Sequence, residues 1–314
     1  MDYVMSRRRK KGRPVSGWLV LDKAYDTGST EAVSKVKWLF QAQKAGHAGT
    51  LDPLATGILA IALGEATKTV PYIMDAQKRY RFSATWGIAT TTDDLEGETI
   101  ATSAHRPARD EIEAVLPNFT GEIEQVPPQF SAIKINGARA YDIAREGEQV
   151  DIPSRLIDVH QLSLIEIPDE NTAVFEAVTG KGAYVRALVR DIAKALGTEG
   201  HVSALRRTSV GPFSEADAIT IDALETHETP QARDETLLGI DTALTTIPQT
   251  SISGPEAEKL KRGQAAVIAP QAAKGVRGDR SGFIPEVLAS LHGDPVAICA
   301  LDGLKLKPVR VFNL

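Results

Sequence analysis

The chain has 314 residues, 42% of them hydrophobic and 25% charged, with a formal net charge of −5. That length predicts two domains with a sizeable core, and no apolar run approaches the roughly 20 residues a membrane span needs, so a membrane partner is not expected. The single cysteine, Cys299, excludes an intrachain disulfide and a cysteine-based zinc cluster and fits a reducing cytoplasm.

The acidic total argues against a general polyanion binder, but the charge is unevenly placed. Residues 1 to 81 carry 14 Lys and Arg against 7 Asp and Glu, whereas residues 82 to 180 carry 6 against 18. A basic first quarter is compatible with an anionic ligand held locally, and an acidic middle with a solvated surface.

In chain order, residues 1–13 read as a basic, disordered tail, with no apolar stretch long enough for a signal peptide. Such a tail either adds phosphate contacts or solubilises the terminus. Gly17 to Asp22 reads as a short buried strand. Glu31 to Ala42 places Ala32, Val33, Val36, Leu39 and Phe40 on one face at helical spacing. Then comes Gly46-His47-Ala48-Gly49-Thr50-Leu51-Asp52-Pro53-Leu54-Ala55-Thr56-Gly57, followed by the apolar run Ile58 to Leu63. The glycines allow backbone angles that other residues resist, and Pro53 biases Asp52 toward an extended backbone. This is a shaped loop, feeding a buried strand, that presents one carboxylate in a fixed direction; an ordinary Asx-Pro turn has the same composition.

Glu65 to Asp75 is predicted as a helix and Arg79 to Gly87 as a strand with Tyr80, Phe82, Ala84 and Trp86 on one side. Thr90 to Gly97 is an acidic connection, and Arg109 to Leu116 a helix. From about 127 to 153 the chain turns irregular, with Lys134, Arg139 and Arg145 beside Phe130 and Tyr141; long irregular segments of this kind are functional or mobile. Strands follow at about 156 to 167 and 172 to 179. Lys181-Gly182-Ala183-Tyr184-Val185-Arg186 opens a helix whose stripe is Val185, Leu188, Val189, Ile192 and Leu196, and His201 to Arg207 precedes another strand. Beyond Ile240, short β-like pieces separated by Gly, Pro and Asp predict a small β-rich domain. The scattered histidines show no metal-ligand spacing, and no metal is expected.

Taken together, GHAGTLDPLATG, LGEATK (63 to 68), KRYR (78 to 81), KGAYVRAL (181 to 188) and HVSALRR (201 to 207) resemble the TruB family of bacterial tRNA pseudouridine-55 synthases, from about Gly17 through Ile219. The resemblance implies a mixed-sheet α/β (α+β) catalytic domain over 14–240, an RNA-gripping thumb loop over 127–153, and a PUA-like RNA-binding domain over 241–314. It implies isomerisation of uridine 55 in the T-loop of tRNA by a cytoplasmic monomer, without metal or organic cofactor. It places the catalytic aspartate on Asp52, the active-site tyrosine on Tyr80 and the arginine partner on Arg186. Leu205 falls on the uracil-packing leucine and His47 on the base-displacing histidine. Asp94 and Tyr184 match neighbouring positions, and Lys23, with Lys44, Lys68, Lys134 and Arg145, would contact RNA. The family's Lys-Pro near the N-terminus is here Lys23-Ala24, which changes the expected loop.

The chemistry suits these residue types. Pseudouridine formation breaks the C1′–N1 bond, turns the uracil and rejoins it through C5. A carboxylate serves by attacking at C1′ or C6, or by drawing off a ribose proton to give a glycal, and each route begins with Asp52 ionised. In a dry pocket it needs a cation, and an ion pair at about 4 Å is worth on the order of 4 kcal/mol at an effective dielectric near 20. The flipped base would be sandwiched between Tyr80 and Leu205, and stacking offsets the cost of extruding it. Two other classes fit less of the chain. A non-catalytic RNA-folding module needs only the basic first quarter and the β domain, and a small-molecule hydrolase needs a second carboxylate tied to Asp52.

Overall fold

The computed structural model describes residues 11–131, 134–135, 138–139, 152–277 and 282–314. Strands β1 (Gly17–Lys23), β2 (Ala45–His47), β3 (Thr56–Leu63) and β4 (Lys78–Trp86) are interleaved with α1 (Ser29–Leu39) and α2 (Val70–Asp75), the latter entered through a 3-10 turn at Gly64–Thr69. A hairpin of β5 (Ile88–Thr90) and β6 (Thr99–Thr102), helix α3 (Arg109–Val115) and β7 (Gly121–Gln125) follow, then the short pair β8 (Lys134–Ile135) and β9 (Ala138–Arg139). Next come β10 (Arg155–Asp169), β11 (Thr172–Thr179), α4 (Val185–Ala195) and β12 (Gly200–Val210).

The main sheet runs β1-β3-β12-β4-β11-β10-β7, with β2 added to β3. All its pairings are antiparallel except β3 with β12, which meet in parallel at Arg206↔Thr56 and Arg207↔Gly57. That makes the sheet mixed, as expected. The apolar run Ile58 to Leu63 is fully buried because both faces of β3 are covered. Leu59, Ile61 and Leu63 join Val36, Leu39 and Phe40 beneath α1, while Ile58, Ala60 and Ala62 join Trp18, Ile73 and Phe213 on the other side. A strand buried on both faces loses the polar half of its alternation.

Further along the sheet one face carries Phe82, Ala84, Trp86 and Phe175 against Leu188, Val189 and Ile192 of α4. The expected alternation in β4 is observed. The Phe82 and Phe175 rings stack with centroids 5.5 Å apart, and Trp86 meets Phe175 edge-on at 6.2 Å. His201 to Arg207 does not precede a strand but lies inside β12, because β4 and β3 supply ladder partners on both sides.

The C-terminal β-rich region is a separate five-stranded sheet formed by residues Gln249 to Val311. Its Leu288, Ile298 and Phe312 enter the same core as Trp18 and Phe213, so the two sheets share buried surface. Polar contacts close the seam: Lys68 Nζ donates to Val311 O (2.6 Å) and pairs with Glu65, and Tyr72 donates to Glu286 (2.6 Å). Lys68 therefore ties the two parts together. Gly12 and Arg13, the end of the expected disordered tail, are docked: Arg13 pairs with Asp234 and exchanges backbone hydrogen bonds with Gln41 and Gln43. Residues 1–10, Tyr141 and Arg145 lie outside the described residues. No helix among the described residues is long and apolar enough to cross a membrane.

Candidate active site

The loop between β2 and β3 is fixed by buried polar groups from three other elements. Lys23, 1% exposed at the end of β1, donates its ammonium to Ala24 O, Thr27 O and Pro53 O at 2.8 to 3.0 Å. Ser29, at the start of α1, exchanges hydrogen bonds with both backbone groups of Leu51. From β12, Arg207, 2% exposed, donates to Gly49 O, Thr50 O and Ile58 O. Gly57 has φ +93°, and a Cβ there would fall 2.3 Å from Arg207 O. Only glycine allows the parallel β3–β12 contact that brings Arg207 under the loop.

The loop delivers Asp52 to α4. Arg186 Nη2 lies 2.9 Å from Asp52 Oδ2, and Arg186 Nη1 lies 3.4 Å from Asp94 Oδ2. The same guanidinium donates to Thr92 O and Phe130 O, each at 3.0 Å. Its side chain is 6% exposed and Asp94's 8%, while Asp52 keeps 36% of its side chain open. The buried cation thus sits behind the carboxylate, whose other side faces outward. Burial pushes the Asp52 carboxyl up from the ordinary carboxylate range and Asp94 adds to the rise, while Arg186 and, more weakly, Lys23 oppose it.

In front of Asp52 opens a cavity of about 490 Å³, lined by Tyr80, Tyr184, Leu205, Lys78 and Phe130 together with Arg186. That volume is in the range of small-ligand sites. Leu205 reaches it because β12 bulges between Val202 and Ala204. The extra residue places Leu205 on the same face as Val202, opposite Phe82 and next to the position of Tyr80. Tyr184 is the N-cap of α4, with Arg155 stacked 5.1 Å over its ring.

The family described as TruB family pseudouridylate synthase (N terminal domain) matches residues 37–185, and tRNA pseudouridylate synthase B C-terminal domain matches residues 186–245. A tRNA pseudouridine synthase B of Caulobacter vibrioides is 52% identical over 98% of this chain and 99% of its own. The chain belongs to the TruB family. A second tRNA pseudouridine synthase B, from Sinorhizobium medicae, is 56% identical over 84% of this chain and 87% of its own. The fold is shared with the crystal structure of a Cbf5-Nop10-Gar1 complex, at TM-score 0.70 and 24% identity over 99% of this chain and 92% of that one.

Within this TruB-family chain the structure brings Asp52, Arg186, Asp94, Tyr80, Leu205 and Tyr184 together. His47, the last residue of β2, is not among the residues lining the cavity. Burial and the nearby Arg207 hold its imidazole below its ordinary pKa, favouring the neutral ring. Lys23 is held within the loops. Its ammonium donates to three loop carbonyls and so shapes the loop, and the turn that lacks the family's proline closes around it, with Asp26 at φ +57°. Burial lowers its pKa to about 8.

Sequence reasoning missed Arg207 and Gln125. Arg207 sits in a quoted motif, but one arginine beside another carries no sign of burial. Gln125, 1% exposed at the end of β7, pairs with both backbone groups of Tyr184 and so fixes the start of α4 and the direction of Arg186. A lone glutamine gives no signal in a single sequence.

Proposed function

We propose that this chain converts uridine 55 in the T-loop of tRNA to pseudouridine, with Asp52 as the carboxylate that initiates the reaction. The observation that carries the reading is the half-open Asp52, backed by a buried Arg186 and facing a cavity between Tyr80 and Leu205. The named relatives are tRNA pseudouridine synthases, and their identity over most of the chain supports tRNA as substrate.

Arg186 opposes the desolvation that raises the Asp52 carboxyl and so favours its anion. A uridine extruded from its loop enters between Tyr80 and Leu205, where stacking and apolar contact offset the cost of unstacking, roughly a few kcal/mol. The cavity holds the uracil while the C1′–N1 bond breaks and C5 turns toward C1′, and the Tyr80 hydroxyl takes part in removing the C5 proton after rejoining. His47, outside the cavity, fills the space the nucleotide leaves in the RNA. The five-stranded sheet is read as a PUA-like domain extending the contact along the tRNA of a cytoplasmic, monomeric enzyme.

Incubation of the purified protein with unmodified tRNA transcript, followed by position-resolved pseudouridine mapping, tests this. A single new pseudouridine at position 55, lost in Asp52→Asn, is expected. Modification outside the T-loop, or persistence in Asp52→Asn, overturns it.

A further inference from the structure

We propose that Arg190 and Asp93 are positioning residues that hold the acidic connection in the turn aiming Asp94 at Arg186. The inference rests on the reading of Asp52–Arg186 as the reacting pair.

Arg186 and Arg190 are four residues apart on α4 and so share a face. Both guanidinium groups reach the same two segments. Arg186 bonds Thr92 O and Phe130 O and pairs with Asp94; Arg190 pairs with Asp93 at 3.0 Å and donates to Val126 O at 2.7 Å. Arg190 is also held by its neighbour Asp191 at 2.9 Å. The Asp93 and Arg190 side chains are only 13% and 18% exposed, so water screens their attraction weakly.

The need for this second pair lies in the backbone. Asp93 has φ +60°, the left-handed region that side chains rarely adopt without support. Three interactions hold it there: Arg190 on its carboxylate, Val202 N donating to its carbonyl at 3.0 Å, and its own N–H donating to Thr90 O at 3.3 Å. The reversal at Asp93 lets consecutive carboxylates diverge, Asp93 toward Arg190 and Asp94 toward Arg186. Asp94 is also held within its own turn, its Oδ1 accepting from Thr92 Oγ1 and from Glu96 N at 3.0 Å, so relaxation of Asp93 to an ordinary conformation would displace that turn as a unit and loosen one of the two carboxylates that fix the guanidinium beside Asp52. Arg190 is not among the residues lining the cavity and pairs with Asp93 and Asp191 in place of Asp52, so its effect on the reaction runs through Arg186.

The test measures single-turnover pseudouridine formation and tRNA affinity separately, in wild type, Arg190→Gln, Arg190→Lys, Asp93→Gly, Asp93→Ala and the double variant Arg190→Gln/Asp93→Gly. Arg190→Gln is expected to slow the rate about 10- to 100-fold while changing tRNA affinity by less than about twofold. Arg190→Lys recovers part of the loss. Because glycine takes positive φ unaided, Asp93→Gly in the Arg190→Gln background recovers most of it, and Asp93→Ala is slower than Asp93→Gly. An unchanged rate in Arg190→Gln, a loss confined to affinity, or equal rates for Asp93→Ala and Asp93→Gly overturns the inference; the last comparison stands even where Arg190→Gln does not fold. Amide exchange of residues 90–97 reads the same device without catalysis: Arg190→Gln must speed it and the added Asp93→Gly must slow it again. A wild type inactive on tRNA with that exchange pattern intact overturns the reading of the reaction and leaves the positioning role standing.

Discussion

Two loops each bring one carboxylate to Arg186, and they are built on opposite principles. The loop carrying Asp52 uses glycines at positive φ, Gly49 and Gly57, and three buried donors, Lys23, Ser29 and Arg207, that hold its backbone carbonyls. The loop carrying Asp94 places an aspartate, Asp93, in the left-handed region and holds it by an ion pair and a ladder contact to Val202. The first is rigid through its backbone. The second depends on a side chain, and its carboxylate is 8% exposed where that of Asp52 is 36%. The more open carboxylate is the one that can meet a substrate, and the enclosed one orients the arginine.

Substitutions separate these roles. Asp52→Asn is expected to lower single-turnover pseudouridine formation roughly 10⁴-fold or more, with tRNA binding kept within a few-fold. Asp94→Asn, which loosens Arg186 without removing the reacting group, should cost about 10- to 100-fold; equal losses would end the distinction between the loops. In wild type the rate should fall with acid through a pKa above the ordinary aspartate value of 3.8, because burial raises the Asp52 carboxyl and the proposed role requires its anion.

The backbone anchoring of the first loop is open to stability measurements. Gly57→Ala forces a Cβ against Arg207 O and a side chain into positive φ. A loss of roughly 3 kcal/mol, read as a fall in Tm of about 6–12 °C, is expected. Ser29→Ala removes the partner of both Leu51 backbone groups and should cost about 1–3 kcal/mol. The same anchoring is open to pH through Lys23. Its folded pKa, about 8, lies below the unfolded value of 10.5, so the folded state sheds the proton first. Stability relative to Lys23→Met should therefore rise as pH increases from about 8 toward 10.5, and a Tm difference that stays flat over that range would contradict the buried-ammonium picture.

Much of this was legible in the chain. The motif around Asp52 is readable because backbone conformation is written in Gly and Pro, and β4 because alternating apolar residues can bury only one way. Resemblance to the TruB family extended that to Arg186, Tyr80 and Leu205. The burial of Lys23 was not legible, because a lysine in a basic region looks the same in sequence whether its ammonium meets solvent or three carbonyls. Leu205 was named, but the bulge that turns it into the cavity was not visible, since a register shift belongs to the pairing of β12 with β4 and not to either strand.

By itself, then, the sequence determined most of the longer elements, the buried β3, the loop that presents a carboxylate and the β-rich C-terminal part, because these depend on local backbone preference and hydrophobic period. Only the tertiary structure decided which charges became anchors. Arg207 under Gly49, Gln125 on Tyr184, Lys68 at the seam between the sheets and Arg190 on Asp93 all join residues at least 59 positions apart. Such pairings depend on which strands and helices meet, and a buried polar side chain is stable only where that meeting supplies its partner.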